Sequence, residues 1–118
     1  MTGVMALGLA ASASTANAHT SYDGNWSVLI ITQSGPCGPS YRYGVEINNG
    51  SVFYAGGGPV NLQGRVARNG AVHVTLSAGD QRASGSGRLS RYQGGGYWRG
   101  AGSTGACAGR WVAERRDY

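Results

Sequence analysis

Short stretches of alternating apolar and polar residues recur along this chain. Residues 41–48 alternate in this way, and residues 60–67 and 71–77 repeat the pattern. A period of two is typical of a β-strand with one buried face. Five further segments are rich in apolar residues or alternate more weakly, which brings the predicted number of strands to about eight. They are residues 25–33, 51–55, 81–90, 97–102 and 108–116.

Turn signals separate these segments. Asn49-Gly50 and Asn69-Gly70 tolerate the positive φ angles of tight hairpin turns, and Gly79-Asp80 marks a third turn. The glycine runs at 56–58 and 94–96 predict loops. Strands joined mainly by hairpins predict an all-β, antiparallel, up-and-down barrel, because closure removes the exposed edges. A β-sandwich is the alternative.

One predicted strand has an almost bare inner face. In residues 81–90, Ala83, Gly85, Gly87 and Leu89 share one side. Such a face either receives a bulky side chain from elsewhere in the barrel, for which Trp26 or Trp98 is the candidate, or leaves room for a ligand.

The N-terminus predicts export. Residues 4–11 are apolar, and Ala16-Asn17-Ala18 places small residues where signal peptidase requires them. We therefore expect residues 1–18 to be a signal peptide and residues 19–118 to be one barrel domain, periplasmic or extracellular, without a transmembrane segment in the mature chain. Cys37 and Cys107, an even count in an exported chain, predict one disulfide.

The positive net charge of the chain bears on the kind of partner that it attracts. The net charge is +5, and all ten basic residues are arginine. Arginine contacts phosphate and carboxylate in a planar, bidentate manner. We expect a small molecule, an anionic envelope component or a protein as the partner, and no nucleic acid.

Both ends of the chain resemble the calycins, which include lipocalins, avidins and barrel-type protease inhibitors. Gly24-Asn25-Trp26 opens the first strand, and Arg115 lies near the end of the last. The resemblance implies that Arg115 stacks on Trp26 to close the barrel floor. The whole chain also resembles a group of small exported alphaproteobacterial proteins, through Tyr22-Asp23-Gly24-Asn25-Trp26 and the segment 107–115. That second resemblance implies a lineage and a compartment, and no activity.

A recognition loop is expected where aromatic and basic residues cluster around the glycine run 94–96. The candidate ligand-binding residues are Arg91, Tyr92, Tyr97, Trp98 and Arg99. Tyrosine and tryptophan interleaved with arginine suit a carbohydrate or single-stranded nucleic-acid surface, although they suit a small barrel core equally well.

Candidate catalytic and metal residues are few. Cleavage before His19 would allow a copper site made by its α-amine, its ring and His73, which we consider a minor alternative. No Gly-x-Ser-x-Gly elbow precedes a helix, and each carboxylate has a simpler explanation in a turn or at the surface.

The sequence thus predicts a non-enzymatic binding protein without a cofactor. Its ligand would be a small apolar molecule or an anionic glycan or lipid. One alternative is a protease inhibitor that inserts residues 19–22 into the enzyme cleft, and another is an envelope interaction protein.

Overall fold

In the computed structural model, which describes residues 21–116, eight antiparallel strands form a closed barrel. Each strand pairs with its neighbours in sequence, and β8 pairs with β1. The barrel prediction is therefore confirmed over the sandwich. The strands are β1 (Gly24–Ser34), β2 (Ser40–Asn48), β3 (Ser51–Tyr54), β4 (Asn61–Val66), β5 (Ala71–Ala78), β6 (Gln81–Leu89), β7 (Gln93–Gly102) and β8 (Gly105–Arg115).

The barrel has two ends, which we name by their loops. The closed end carries the β2–β3, β4–β5 and β6–β7 turns and the residues before β1. The open end carries the β1–β2 and β3–β4 loops and the β5–β6 and β7–β8 turns. The expected signal peptide and His19 lie outside the described residues. Between residues 21 and 116 no helix is long and apolar enough to cross a membrane.

One of the two Asn-Gly turns at the closed end has the conformation that its sequence favours. Asn49 and Gly50 have φ angles of 53° and 81°, as in a type I′ turn. Asp23 accepts hydrogen bonds from the backbone N–H groups of both, at 2.8 Å and 3.3 Å. The β4–β5 turn is wider: the N–H of Gly70 donates to the carbonyl of Ala67 at 2.9 Å. Asp23 thus ties the start of β1 to the neighbouring hairpin.

The predicted loop at residues 94–96 is wrong, because these glycines belong to β7. A Cβ on Gly94 would lie 2.5 Å from the side chain of Leu89, and one on Gly96 would collide with the carbonyl of Ser86. Glycine is needed here for close strand packing rather than for turn formation. The actual β6–β7 turn is shorter and is closed by the N–H of Ser90, which donates to the carbonyl of Gln93 at 2.7 Å. Likewise, β8 begins at Gly105, before the predicted position 108.

The core fills the closed half of the barrel. Trp26, only 2% exposed, is the most deeply buried large side chain. Trp111 occupies the bare face of β6, where a Cβ on Gly87 would lie 2.7 Å from its ring. Trp98 lies beside Gly85 on the neighbouring strand. The expected filler was Trp26 or Trp98, so Trp111 corrects that expectation in part. The other buried apolar side chains of this core are Val45, Ile47, Val52, Val66, Val72, Leu89 and Ala113, whereas Cys107 is buried at the open end.

The predicted disulfide is present. Cys37 in the β1–β2 loop is bonded to Cys107 on β8, with an S–S distance of 2.06 Å. The bond joins the first loop of the open end to the last strand. A disulfide of this kind is typical of a non-cytoplasmic environment.

Replacing Trp26 by alanine should lower the free energy of unfolding by about 3–5 kcal/mol, because a buried indole and its packing are lost. Tyr97→Ala is the control, since Tyr97 is 72% exposed, and it should cost less than about 0.5 kcal/mol. Denaturant unfolding followed by circular dichroism measures both. A Trp26→Ala variant as stable as the wild type would contradict the buried floor.

Removing the disulfide in the double variant Cys37→Ala/Cys107→Ala should lower the free energy of unfolding by roughly 4 kcal/mol, because the unfolded chain regains the entropy of a long loop. The two cysteines are 70 positions apart. Wild-type protein in reducing buffer is the matched comparison and should lose a similar amount. Equal stability of the reduced and oxidised proteins would refute this account.

Candidate binding cavity

A cavity of about 570 Å³ occupies the barrel interior and extends to the open end. The inward side chains that are only partly buried lie in the open half of the barrel, whereas the closed half is filled by buried side chains. Their exposure is to the cavity, because their positions on the strands face inward. The apolar side chains of this wall include Val28, Ile30, Leu62, Val74 and Leu76.

Three tryptophans line the cavity, and each has its N–H group satisfied by the backbone. Trp26 donates to the carbonyl of Tyr22 at 2.8 Å, and Trp98 donates to that of Ile31 at 3.1 Å. Trp111 donates to the carbonyl of Ser86 at 3.2 Å. The indoles therefore offer apolar rings, and no unused N–H groups, to anything inside the barrel.

Tyrosines form one side of the cavity wall towards the open end. The ring of Tyr43 lies 6.4 Å from that of Tyr41 and 6.0 Å from that of Tyr54. Burial raises the pKa of the Tyr43 hydroxyl, and the charges of ionised Tyr54 and Tyr41 raise this pKa further. The hydroxyl of Tyr41 accepts a hydrogen bond from the N–H of Gly38 at 3.0 Å, which connects this wall to the disulfide loop.

The polar groups of the cavity are concentrated near its mouth. Gln81, Arg82 and Thr104 border the open end, beside the disulfide loop at Cys37. Arg82 and Thr104 are exposed to solvent. A molecule inside the barrel would thus meet apolar walls at depth and one positive charge at the entrance.

Arg115 seals the closed end. Its guanidinium carbon lies 5.4 Å from the centroid of the Trp26 ring. The same guanidinium donates to the carbonyl of Ser21 at 2.7 Å, to that of Arg91 at 2.9 Å and to that of Asp23. This side chain therefore links the residues just before β1, the β6–β7 turn and the last strand into one floor, and its stacking on Trp26 is the contact that the resemblance of these residues implies.

The structure separates the five residues of the expected recognition loop. Arg91 and Tyr92 lie in the exposed β6–β7 turn at the closed end. Tyr97 and Arg99 face outward on β7, whereas Trp98 lines the cavity. Successive residues of a strand point to opposite faces, so these residues do not form one site. The tyrosine wall and Trp111 are the cavity residues that the sequence did not single out, although the bare inner face of β6 indicated room inside.

Only one of the two residues proposed for metal binding, His73, lies within the described part of the chain. His73 is exposed on the outer face of β5, opposite Arg65 and Ser86 on the adjacent strands. His19 lies outside the described residues. In residues 21–116, no group of three or more histidine, cysteine or acidic side chains could hold a metal ion. Glu114 lies 3.7 Å from Arg116 in an exposed ion pair.

The raised pKa of Tyr43 predicts a loss of stability at alkaline pH. Because the hydroxyl keeps its proton more tightly in the folded state, its contribution is complete below about pH 10 and is lost as the pH rises through the folded-state pKa. The chain has no lysine, whose titration would otherwise overlap with this range. From about pH 10 upwards, Tyr43→Phe should lose less unfolding free energy than the wild type, as measured with denaturant.

Tyr97→Phe, which removes an exposed hydroxyl, is the matched control and should lose as much as the wild type. Identical pH profiles for the wild type and Tyr43→Phe would show that burial of this hydroxyl does not matter.

Comparisons with known proteins give no match, so a function is proposed from the geometry. No protein-family model, no curated protein and no solved structure matches the chain.

Proposed function

We propose that this chain is an exported, non-enzymatic protein that binds a small apolar molecule inside its barrel. The observation that carries the proposal is the cavity of about 570 Å³, whose wall is apolar and whose three indole N–H groups are already bonded. Small-molecule sites typically enclose about 300–1,000 Å³ and are lined mainly by apolar and aromatic side chains.

The apolar cavity wall favours an apolar ligand, because burying apolar surface lowers the free energy. Each Å² of apolar surface removed from water contributes roughly 25 cal/mol, and a rigid cavity needs no rearrangement to provide that surface. A polar molecule would lose its hydrogen bonds to water without replacement at depth, where the wall consists of side chains such as Val74 and Leu76. The most suitable ligand is therefore apolar over most of its length.

The contacts at the closed end favour entry of the ligand through the open end. Ser21 and Tyr22 take part in the floor, because their carbonyls accept hydrogen bonds from Arg115 and Trp26. Entry through the mouth beside the disulfide loop avoids these contacts. The same two residues belong to the segment expected of a protease inhibitor, and their engagement in the floor favours ligand binding instead.

The remaining parts of the proposal rest on the sequence and on the floor contact. The Ala16-Asn17-Ala18 pattern and the disulfide support export. The stacking of Arg115 on Trp26 supports a calycin-like barrel. We keep copper binding through His19 as a minor alternative that no contact of the described residues favours.

Titration with N-phenyl-1-naphthylamine, an apolar dye that fluoresces in apolar surroundings, tests the proposal. We expect saturable binding at one site per chain. The double variant Val74→Phe/Ala83→Phe fills the cavity, because both side chains face inward on adjacent strands and Val74 lies opposite Gly64 and Gly85. This variant should weaken dye binding at least about tenfold, or 1.4 kcal/mol.

The matched control is His73→Phe/Ser86→Phe. These two residues lie opposite each other on the outer face of the same two strands. They receive the same new side chains, and the dye affinity should change less than about twofold. Thermal unfolding checks that all variants fold. No saturable binding to the wild type, or an equal loss in both double variants, would refute an interior site.

A further inference from the structure

A second concave surface lies on the outside of the barrel. This groove of about 920 Å³ crosses the open-end halves of β4–β8, where outward side chains line it. Most of them are small or uncharged and polar. Their amide and hydroxyl groups are supplied by Asn61, Gln63, Thr75, Ser77 and Ser84.

The groove and its surroundings are strongly basic. Arg82 and Arg99 line it, and Arg65, Arg88 and Arg110 extend the same outer face towards the closed end. The strands β4–β7 contain no acidic residue. Asp80, in the β5–β6 turn, is the acidic residue of the groove rim. The field over this face is therefore positive and attracts anions.

The two arginines of the groove are free to bind. Within residues 21–116, no hydrogen bond or ion pair engages the side chain of Arg82 or Arg99. Each lies opposite a serine on the adjacent strand, since Ser77 pairs with Arg82 and Ser84 pairs with Arg99. Each guanidinium is thus placed beside a hydroxyl group, a combination that can contact an acidic group and a neighbouring alcohol together.

An exposed aromatic ring extends the same face. Tyr97 precedes Arg99 by two positions on β7, so both side chains point outward, and Tyr97 is 72% exposed. Its cross-strand neighbours are Ser86 and Arg110. A large exposed ring among hydroxyl and guanidinium groups offers a flat surface on which a sugar ring can stack.

We propose that this outer groove binds an anionic polysaccharide. A concave channel lined by amide and hydroxyl side chains can follow a flexible polymer and hydrogen-bond its hydroxyl groups, while Arg82 and Arg99 contact its carboxylates or sulfates. The alanines at 101, 106 and 108 keep the channel floor low, so the polymer can approach the strands. A lipid surface fits less well, because it is flat and none of the outward side chains that line the groove is large and apolar.

Affinity measurement with alginate, a polymer of uronic acids, tests the groove, with neutral dextran as the uncharged comparison. We expect calorimetric titration to detect alginate binding that weakens with added salt, and no binding to dextran. The double variant Arg82→Gln/Arg99→Gln should weaken alginate binding at least tenfold. Tyr97→Ala should weaken it as well, although both groove arginines remain.

Arg42→Gln/Arg68→Gln is the matched control. Both residues are exposed and lie outside the groove, on β2 and in the β4–β5 turn, and the variant removes the same two charges from the net charge of +5. Its alginate affinity should change less than twofold. Because all four arginines are exposed, thermal unfolding should be unchanged in both double variants, which excludes misfolding as the cause.

Three results would overturn the proposal. The first is no alginate binding by the wild type in low-salt buffer. The second is an equal loss in the two double variants, which would mean that net charge alone attracts the polymer. The third is groove-dependent binding to phosphatidylglycerol vesicles in the absence of alginate binding, which would identify a membrane surface as the partner. Dye binding inside the barrel can be measured in the same samples, so the interior site is tested separately.

Discussion

The whole architecture depends on the pairing of the first strand with the last. β1 and β8 pair from Trp26 opposite Arg115 to Ser34 opposite Ala108, and without this seam the sheet would have two open edges. Such a contact joins opposite ends of the chain, so it carries a large loop-closure cost during folding. Two additional contacts hold the seam, one at each end of the barrel. Arg115 stacks on Trp26 at the closed end, and Cys107 is bonded to Cys37 at the open end.

The same closure explains why the interior is filled at one end and hollow at the other. At the closed end, the fully buried side chains converge on Trp26, and the glycines of β6 leave space for Trp111. At the open end, inward residues such as Val74 and Leu76 face a cavity instead of one another. The three indole N–H groups are bonded to the backbone, which fixes the rings as a rigid wall. A binding space is therefore part of how this small barrel packs.

Much of the fold follows from local pattern, and the site does not. Alternation in residues 41–48 and the Asn49-Gly50 turn predict β2, its hairpin and the inward position of Val45. The glycines at 94–96 led to a wrong loop prediction because glycine is required both where two strands pack closely and where the chain turns. The sequence alone does not distinguish these two requirements. The residues of the expected recognition loop are separated for a simpler reason. Tyr97, Trp98 and Arg99 are adjacent in sequence, and a strand sends the middle residue to the opposite face.

That alternation also gives the barrel two chemically distinct surfaces on the same strands. On β5 and β7, Val74 and Trp98 face the apolar cavity, while Thr75 and Arg99 line the basic groove. Arg82 lies where the two spaces approach each other at the open end, since it borders both the cavity mouth and the groove. The wall of a small barrel is a single β-sheet. A ligand in the groove and a ligand in the cavity would therefore be separated by little more than that sheet. An anion bound at Arg82 would reduce the positive potential at the cavity mouth, which links the two proposed sites electrostatically.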